Sequence, residues 1–116
     1  MEETIIIGEL QVWPKDLGKM EWDKAKVEVA KLGPGWRLPT IEEFKEILYP
    51  SRSGILGLDV TDEYYWSSTE TANNTAWYFT WNSVYANYTY KYYTYYVRPV
   101  RDFTGESALG ILLKDF

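Results

Sequence analysis

Few side chains in this sequence could act as nucleophile, base or metal ligand. Ser67, Ser68 and Thr69 place three hydroxyls in a row, but a hydroxyl nucleophile needs a base, and the chain has no histidine. Their expected role is structural hydrogen bonding beside an aromatic strand. Asp59, Asp62 and Glu63 could offer oxygen ligands to a hard cation, yet they lack the alternating ligand pattern of a cation loop and read as a solvated acidic turn. The absence of cysteine excludes thiol catalysis, thiolate metal sites and disulfides. Glu42, Glu43 and Glu46 read as an exposed helical face with one cap. Arg37, Arg98 and Arg101 stand beside Trp, Leu, Pro or Val. They read as ties from loops to carbonyls and carboxylates, with anion binding as the alternative. The expectation is a protein that is not an enzyme, with no catalytic residue, cofactor or metal.

The chemistry that does stand out is phenolic. Asn82–Tyr96 reads NSVYANYTYKYYTYY, in which seven of fifteen residues are tyrosine and only Lys91 is charged. Eight of the eleven tyrosines lie between Tyr78 and Tyr96. As a buried strand, the stretch would have to satisfy many hydroxyls. As an aggregating tract, it would lack the patterned strands that flank it on both sides. As a binding surface it has the composition of a paratope, with rigid tyrosine area and adaptable Asn, Ser and Thr. That third reading is preferred. Every residue of the stretch except Lys91 is also reachable by changing the first two bases of an AAC codon.

The remaining composition is ordinary, with 25% charged and 46% apolar residues in 116, enough for one domain spanning 1–116. A net charge of −5 argues against nucleic acid or an anionic membrane as partner. The acidic start MEETIIIGEL lacks a signal peptide's positive charge. No stretch approaches the ~20 apolar residues of a membrane span. A cytoplasmic location by default, and a monomer, are therefore expected.

The elements that must position this surface are legible from periodicity. Thr4–Val12 reads as one strand. Glu21–Leu32 reads as a helix with Trp22, Ala25, Val29 and Leu32 on one face, stopped by Gly33 and Pro34. Thr40 to about Tyr49 reads as a second helix. It opens on a Thr40/Glu43 capping box, buries Ile41, Phe44, Ile47 and Leu48, and ends at Pro50. Ser51–Glu63 reads as a loop and Tyr64–Thr69 as a strand. Trp77, Phe79 and Trp81 alternate with Tyr78, Thr80 and Asn82, which predicts a strand with the larger apolar set on one face. Val97–Asp102 is a further strand that Pro99 makes irregular, and Ala108–Leu113 a last one able to pair with Thr4–Val12. Strand, helix, helix, then several strands is an α+β order.

The segments EWDKAK, GWRLPTIEEF, YYWSSTE, AWYF and YYVRPVRDF, in that order, resemble a known group. It comprises the C-type-lectin-fold domains of the formylglycine-generating-enzyme-like and collagen-like-adhesin C-terminal type. Within it the likeness is to the variable proteins of diversity-generating retroelements, over roughly Trp22 to Phe103. The resemblance implies a C-type lectin fold: two helices packed on a small, mostly antiparallel twisted sheet, with the termini close together. It implies fixed scaffold at Trp77, Phe79, Trp81 and Val97–Arg101, around a variable ligand-binding region within 73–96. The implied ligand-binding positions are Tyr78, Thr80, Asn82, Ser83, Tyr85, Asn87, Tyr88, Thr89, Tyr90, Tyr92, Tyr93 and Thr94. Lys91, Tyr95 and Tyr96 fall to the frame.

Two departures restrict what carries over. Formylglycine generation needs cysteines that are absent here. The calcium signatures of sugar-binding lectins are missing too, Trp81-Asn82-Ser83 being only a partial echo. The expected function is thus recognition of an unidentified ligand, a protein by the chemistry of the face. A fixed-specificity adhesin or glycan-binding domain is the first alternative, and a small metal-dependent enzyme using Asp59, Asp62 or Glu63 the last.

Overall fold

The structure is a computed structural model that describes residues 4–53, 63–81 and 85–103, with the backbone alone for Tyr85. The first expected strand is in fact a hairpin, β1 (Ile5–Ile7) and β2 (Leu10–Val12), with Ile7 opposite Leu10. Gly8, at φ 59°, takes the left-handed first position of its two-residue turn, a conformation glycine adopts without steric penalty. The isoleucine run hid this turn. β3 (Lys19–Met20) then leads into α1 (Trp22–Ala30), which buries Trp22, Ala25 and Val29 at the expected spacing. Gly33, at φ 130°, and Pro34 follow its last turn.

The second helix, α2, begins as the capping box predicts. Thr40 Oγ1 accepts from the Glu43 N–H at 3.1 Å, and Glu43 Oε1 accepts from the Thr40 N–H at 2.9 Å. It is α-helical only over Ile41–Glu43, widens to a π-helical turn over Phe44–Leu48 and tightens to a 3₁₀ turn over Tyr49–Ser51. Pro50 does not end the helix, because it sits in the first turn of that 3₁₀ segment, where its missing N–H is tolerated.

The long hairpin β4 (Tyr64–Ala72) and β5 (Thr75–Thr80) is central, followed by β6 (Tyr85–Tyr90), β7 (Tyr95–Tyr96) and β8 (Val100–Asp102). β1, β2 and β8 form one antiparallel sheet. The other runs β3-β7-β4-β5-β6, antiparallel except where β4 and β7 meet at Tyr65 and Tyr96. The fold is therefore α+β, with two helices on a mostly antiparallel sheet, as expected. β8 takes the place beside β2 that had been given to Ala108–Leu113, a segment outside the described residues.

The core lies on both faces of β4 and β5. On one face Tyr65, Phe79 and Trp81 pack with Phe44, Ile41 and Leu48 of α2 and with Leu10, Val12 and Val100. On the other, Trp66, Ala76 and Tyr78 pack with Trp22, Ala25 and Val29 of α1 and with Trp36, Leu38 and Val97.

Arg37 closes the junction of α2 and β8. Its guanidinium grips both Glu43 oxygens at 2.7 and 2.9 Å and reaches Asp102 at 2.7 Å. Those bonds, that to Glu43 first, hold its pKa above the usual arginine value against the opposing effect of burial. Burial alone would raise the Glu43 pKa, but the hydrogen bonds from Arg37 and Thr40 outweigh it and hold the carboxyl below its usual 4.5. A depressed folded pKa means that the unfolded chain binds the extra proton. Stability from Glu43 is thus complete above the unfolded value and is lost as pH falls through the folded one. Glu43→Gln should flatten the acid limb of a denaturant-midpoint profile below pH ~5. An unaltered slope would show that the pair contributes nothing.

Candidate functional site

Two expected face residues are not on the surface. Tyr78 and Thr80 are 9% and 7% exposed. The family resemblance implied that these two are displayed, but β5 is an interior strand with α2 on one side and α1 on the other. Tyr78 therefore joins the second core cluster. Asn82 and Ser83 lie outside the described residues, and Tyr85 is placed only as the start of β6.

The surface begins at β6, the sheet's edge. Tyr88 and Tyr90 are 54% and 47% exposed, while Asn87 and Thr89 between them are half-buried. The turn beyond adds Tyr92 at 63%, Tyr93 at 45% and the exposed Thr94. The rings touch in series. Tyr90 stacks on Tyr92 at 5.3 Å and 9°, Tyr92 meets Tyr93 at 5.0 Å, and Tyr93 lies parallel to Tyr95 at 6.3 Å. Tyr95 continues the series into the core through Trp66 at 4.7 Å and Tyr78 at 5.2 Å. Tyr88 meets the half-buried Trp77 edge-on at 5.7 Å. Such a ladder is rigid and offers large contact area with little side-chain entropy left to lose.

A phenol hydroxyl can both donate and accept a hydrogen bond. Burial is the main cause that pushes the Tyr92 hydroxyl up, helped by Tyr93 and Tyr90. Burial also raises Tyr95, with a hydrogen bond to Thr89 opposing.

Lys91, in the middle of the aromatic run, is a tether. Its ammonium donates to Glu70 at 2.7 Å and to the Asn73 carbonyl at 2.9 Å, and lies 4.1 Å from the Trp22 ring centre. Its backbone N–H donates to Asn74 and its carbonyl accepts from the Trp22 N–H. One residue thus binds the tip of the β4–β5 hairpin to the start of α1 and fixes where the ladder begins. Glu70 is held below the usual carboxylate range by that hydrogen bond.

One ladder member was missed in the sequence. Tyr64, 39% exposed, contacts Tyr78 at 4.8 Å and Tyr95 at 5.3 Å. Its signal was the two-residue offset from Trp66, which puts both rings on one face.

The other groups with chemical potential are engaged in structure. Ser67 Oγ donates to the Trp77 carbonyl at 2.8 Å, and Thr69 Oγ1 accepts from the Ile41 N–H at 3.0 Å. Arg98 donates to Asp16 at 2.9 Å; Arg101 donates to Gln11 at 2.8 Å and lies over the Trp36 ring. Glu63 pairs with Lys19 at 3.3 Å, while Asp59 and Asp62 lie outside the described residues. Among the described residues, no three His, Cys, Asp or Glu side chains are grouped to hold a metal, and no helix is long and apolar enough to cross a membrane.

The family model of the Lcl C-terminal domain matches residues 9–101, a span that contains α1, α2, the long hairpin and the whole tyrosine ladder. No curated protein matches the chain.

Proposed function

The chain belongs to the Lcl C-terminal domain family, and we propose that it is a non-catalytic recognition module whose tyrosine ladder binds a protein ligand. The observation that carries this is the contiguous exposure of Tyr88, Tyr90, Tyr92 and Tyr93 beside a residue, Lys91, that fastens them to the scaffold. Phenol side chains present apolar ring faces with a hydroxyl at the rim, the combination enriched at protein interfaces. The family match supports a ligand-binding, adhesin-like module. The finer reading is that these positions are exchangeable and are rewritten by a retroelement. It rests on the concentration of Tyr, Asn and Thr in 85–94, between the buried anchors Trp81 and Val97.

Replacing Tyr88, Tyr90, Tyr92 and Tyr93 together with serine should cost less than ~2 kcal/mol of stability, since all four are surface positions. The same variant should lose the protein binding that the unmodified chain shows on paired protein and glycan arrays. Binding to glycans alone would favour a fixed glycan-binding domain. An unfolded variant would mean the rings are core. For diversification, the test is a near-copy of the coding stretch for residues 73–101, differing mainly at adenines, beside a reverse-transcriptase gene.

A further inference from the structure

We propose that the outer edge of β6 pairs antiparallel with β6 of a second copy of this chain, the two strands crossing at Tyr88. The Lys91 N–H bond to the Asn74 carbonyl sets the phase of the β5–β6 ladder. Thr89 and Asn87 turn their backbone groups toward β5, and Tyr90, Tyr88 and Ala86 turn theirs outward. Two of these outward groups have partners among the described residues. The Tyr88 N–H donates to Asn87 Oδ1 at 2.8 Å, and the Tyr90 carbonyl accepts from the Tyr93 N–H at 3.2 Å. No described strand covers this edge.

An edge strand is normally protected by a charge, a proline or a bulge. Ala86–Tyr90 has none of these, and its pairing with β5 is unbroken from Thr80 to Thr75. The nearest charge, Lys91, is tied to Glu70. The strand is also self-complementary about Tyr88. Antiparallel pairing sets Ala86 against the partner's Tyr90, small against large, and Asn87 against the partner's Thr89, polar against polar. Tyr88 meets its own copy, an aromatic pair of the kind that stabilises adjacent strands. The contact is isologous and closes at two chains. With no charge on the strand, the net charge of −5 on each chain is kept off the seam. Pairing uses backbone groups at the edge and the Tyr88 rings and leaves Tyr92 and Tyr93 open, and it is read by association of the chain rather than by ligand binding, so it stands independently of the ligand reading.

The test is sedimentation equilibrium of the full chain by analytical ultracentrifugation from about 1 µM to about 1 mM, the range of weak association. A monomer–dimer equilibrium is expected, with amide exchange at Ala86 and Tyr90 slowing as dimer forms. Tyr88→Lys places like charges opposite each other at the axis and should return the chain to monomer with an unchanged melt. Asn87→Ala frees the Tyr88 N–H of each chain for pairing and should tighten the dimer about 25-fold, the worth of two ordinary hydrogen bonds. A chain that stays monomeric throughout overturns the proposal, even if some other extended peptide docks on this edge. So does a dimer that Tyr88→Lys leaves intact.

Discussion

Trp66→Ala will remove about 3–5 kcal/mol of folding stability, a large share of the ~5–15 kcal/mol that a domain holds. Trp66 is fully buried, its Nε1–H donates to the Met20 carbonyl at 2.9 Å, and its ring meets Tyr95 at 4.7 Å. Alanine would leave a cavity bordered by Tyr95 and Tyr78 and strip the Met20 carbonyl of its donor. Trp66→Phe keeps most of the apolar volume and loses the N–H bond, so its loss should be smaller, about 1–3 kcal/mol. Denaturant titration of both variants separates the two contributions. Equal losses would place the energy in the hydrogen bond rather than in the volume. Because Tyr95 joins the core to the ladder, Trp66→Ala should also loosen Tyr93, visible as faster local amide exchange.

The second large effect is at Asp16. Its carboxylate accepts from Tyr65 Oη at 2.7 Å and from Arg98 Nε at 2.9 Å. The Arg98 side chain is 5% exposed and Asp16 24%. Among the described residues, Asp16→Ala leaves the buried guanidinium with the Trp13 carbonyl, 3.4 Å away, as its remaining acceptor, and it takes the Tyr65 hydroxyl's partner away. Removing one member of a buried pair costs about 3–5 kcal/mol, mostly the penalty of the charge left behind. Tyr65→Phe, by contrast, should cost only about 1 kcal/mol, because the ion pair survives. Burial first, and then Asp16, push the Tyr65 pKa well above its usual value, so it stays a donor at every physiological pH. If Asp16→Ala and Tyr65→Phe prove equal in urea midpoint, Arg98 is solvated well enough to stand alone.

Trp66 and Arg98 lie in segments that composition and periodicity already marked, whereas Asp16 lies in a loop that no pattern singled out. Trp22, Ala25 and Val29, the Thr40/Glu43 box and the Trp77–Phe79–Trp81 alternation are local patterns, and local patterns survive folding. Arg37, Arg98 and Arg101 were expected as ties, and each is one. What local pattern does not carry is what covers a strand. Tyr78 and Thr80 were expected on the displayed face from the family resemblance, and only the packing of α1 over β5 shows that both faces are filled. The Gly8 turn was hidden by a run of isoleucines, and Tyr64 by its distance from the other tyrosines along the chain. The site was legible as a stretch. Its membership depended on strand order.

The tether at Lys91 has a genetic consequence under the proposed reading. Lysine is encoded only by AAA and AAG, so a process that rewrites adenines would strike this codon as readily as those of the displayed tyrosines' predecessors. Substitutions at the rings would alter what is bound. Substitutions at Lys91 would untie Glu70, Asn73 and the face of Trp22 together. Any repertoire drawn from this scaffold would thus be sieved for foldability before it is sieved for affinity, and lineages that keep lysine here would be over-represented among survivors.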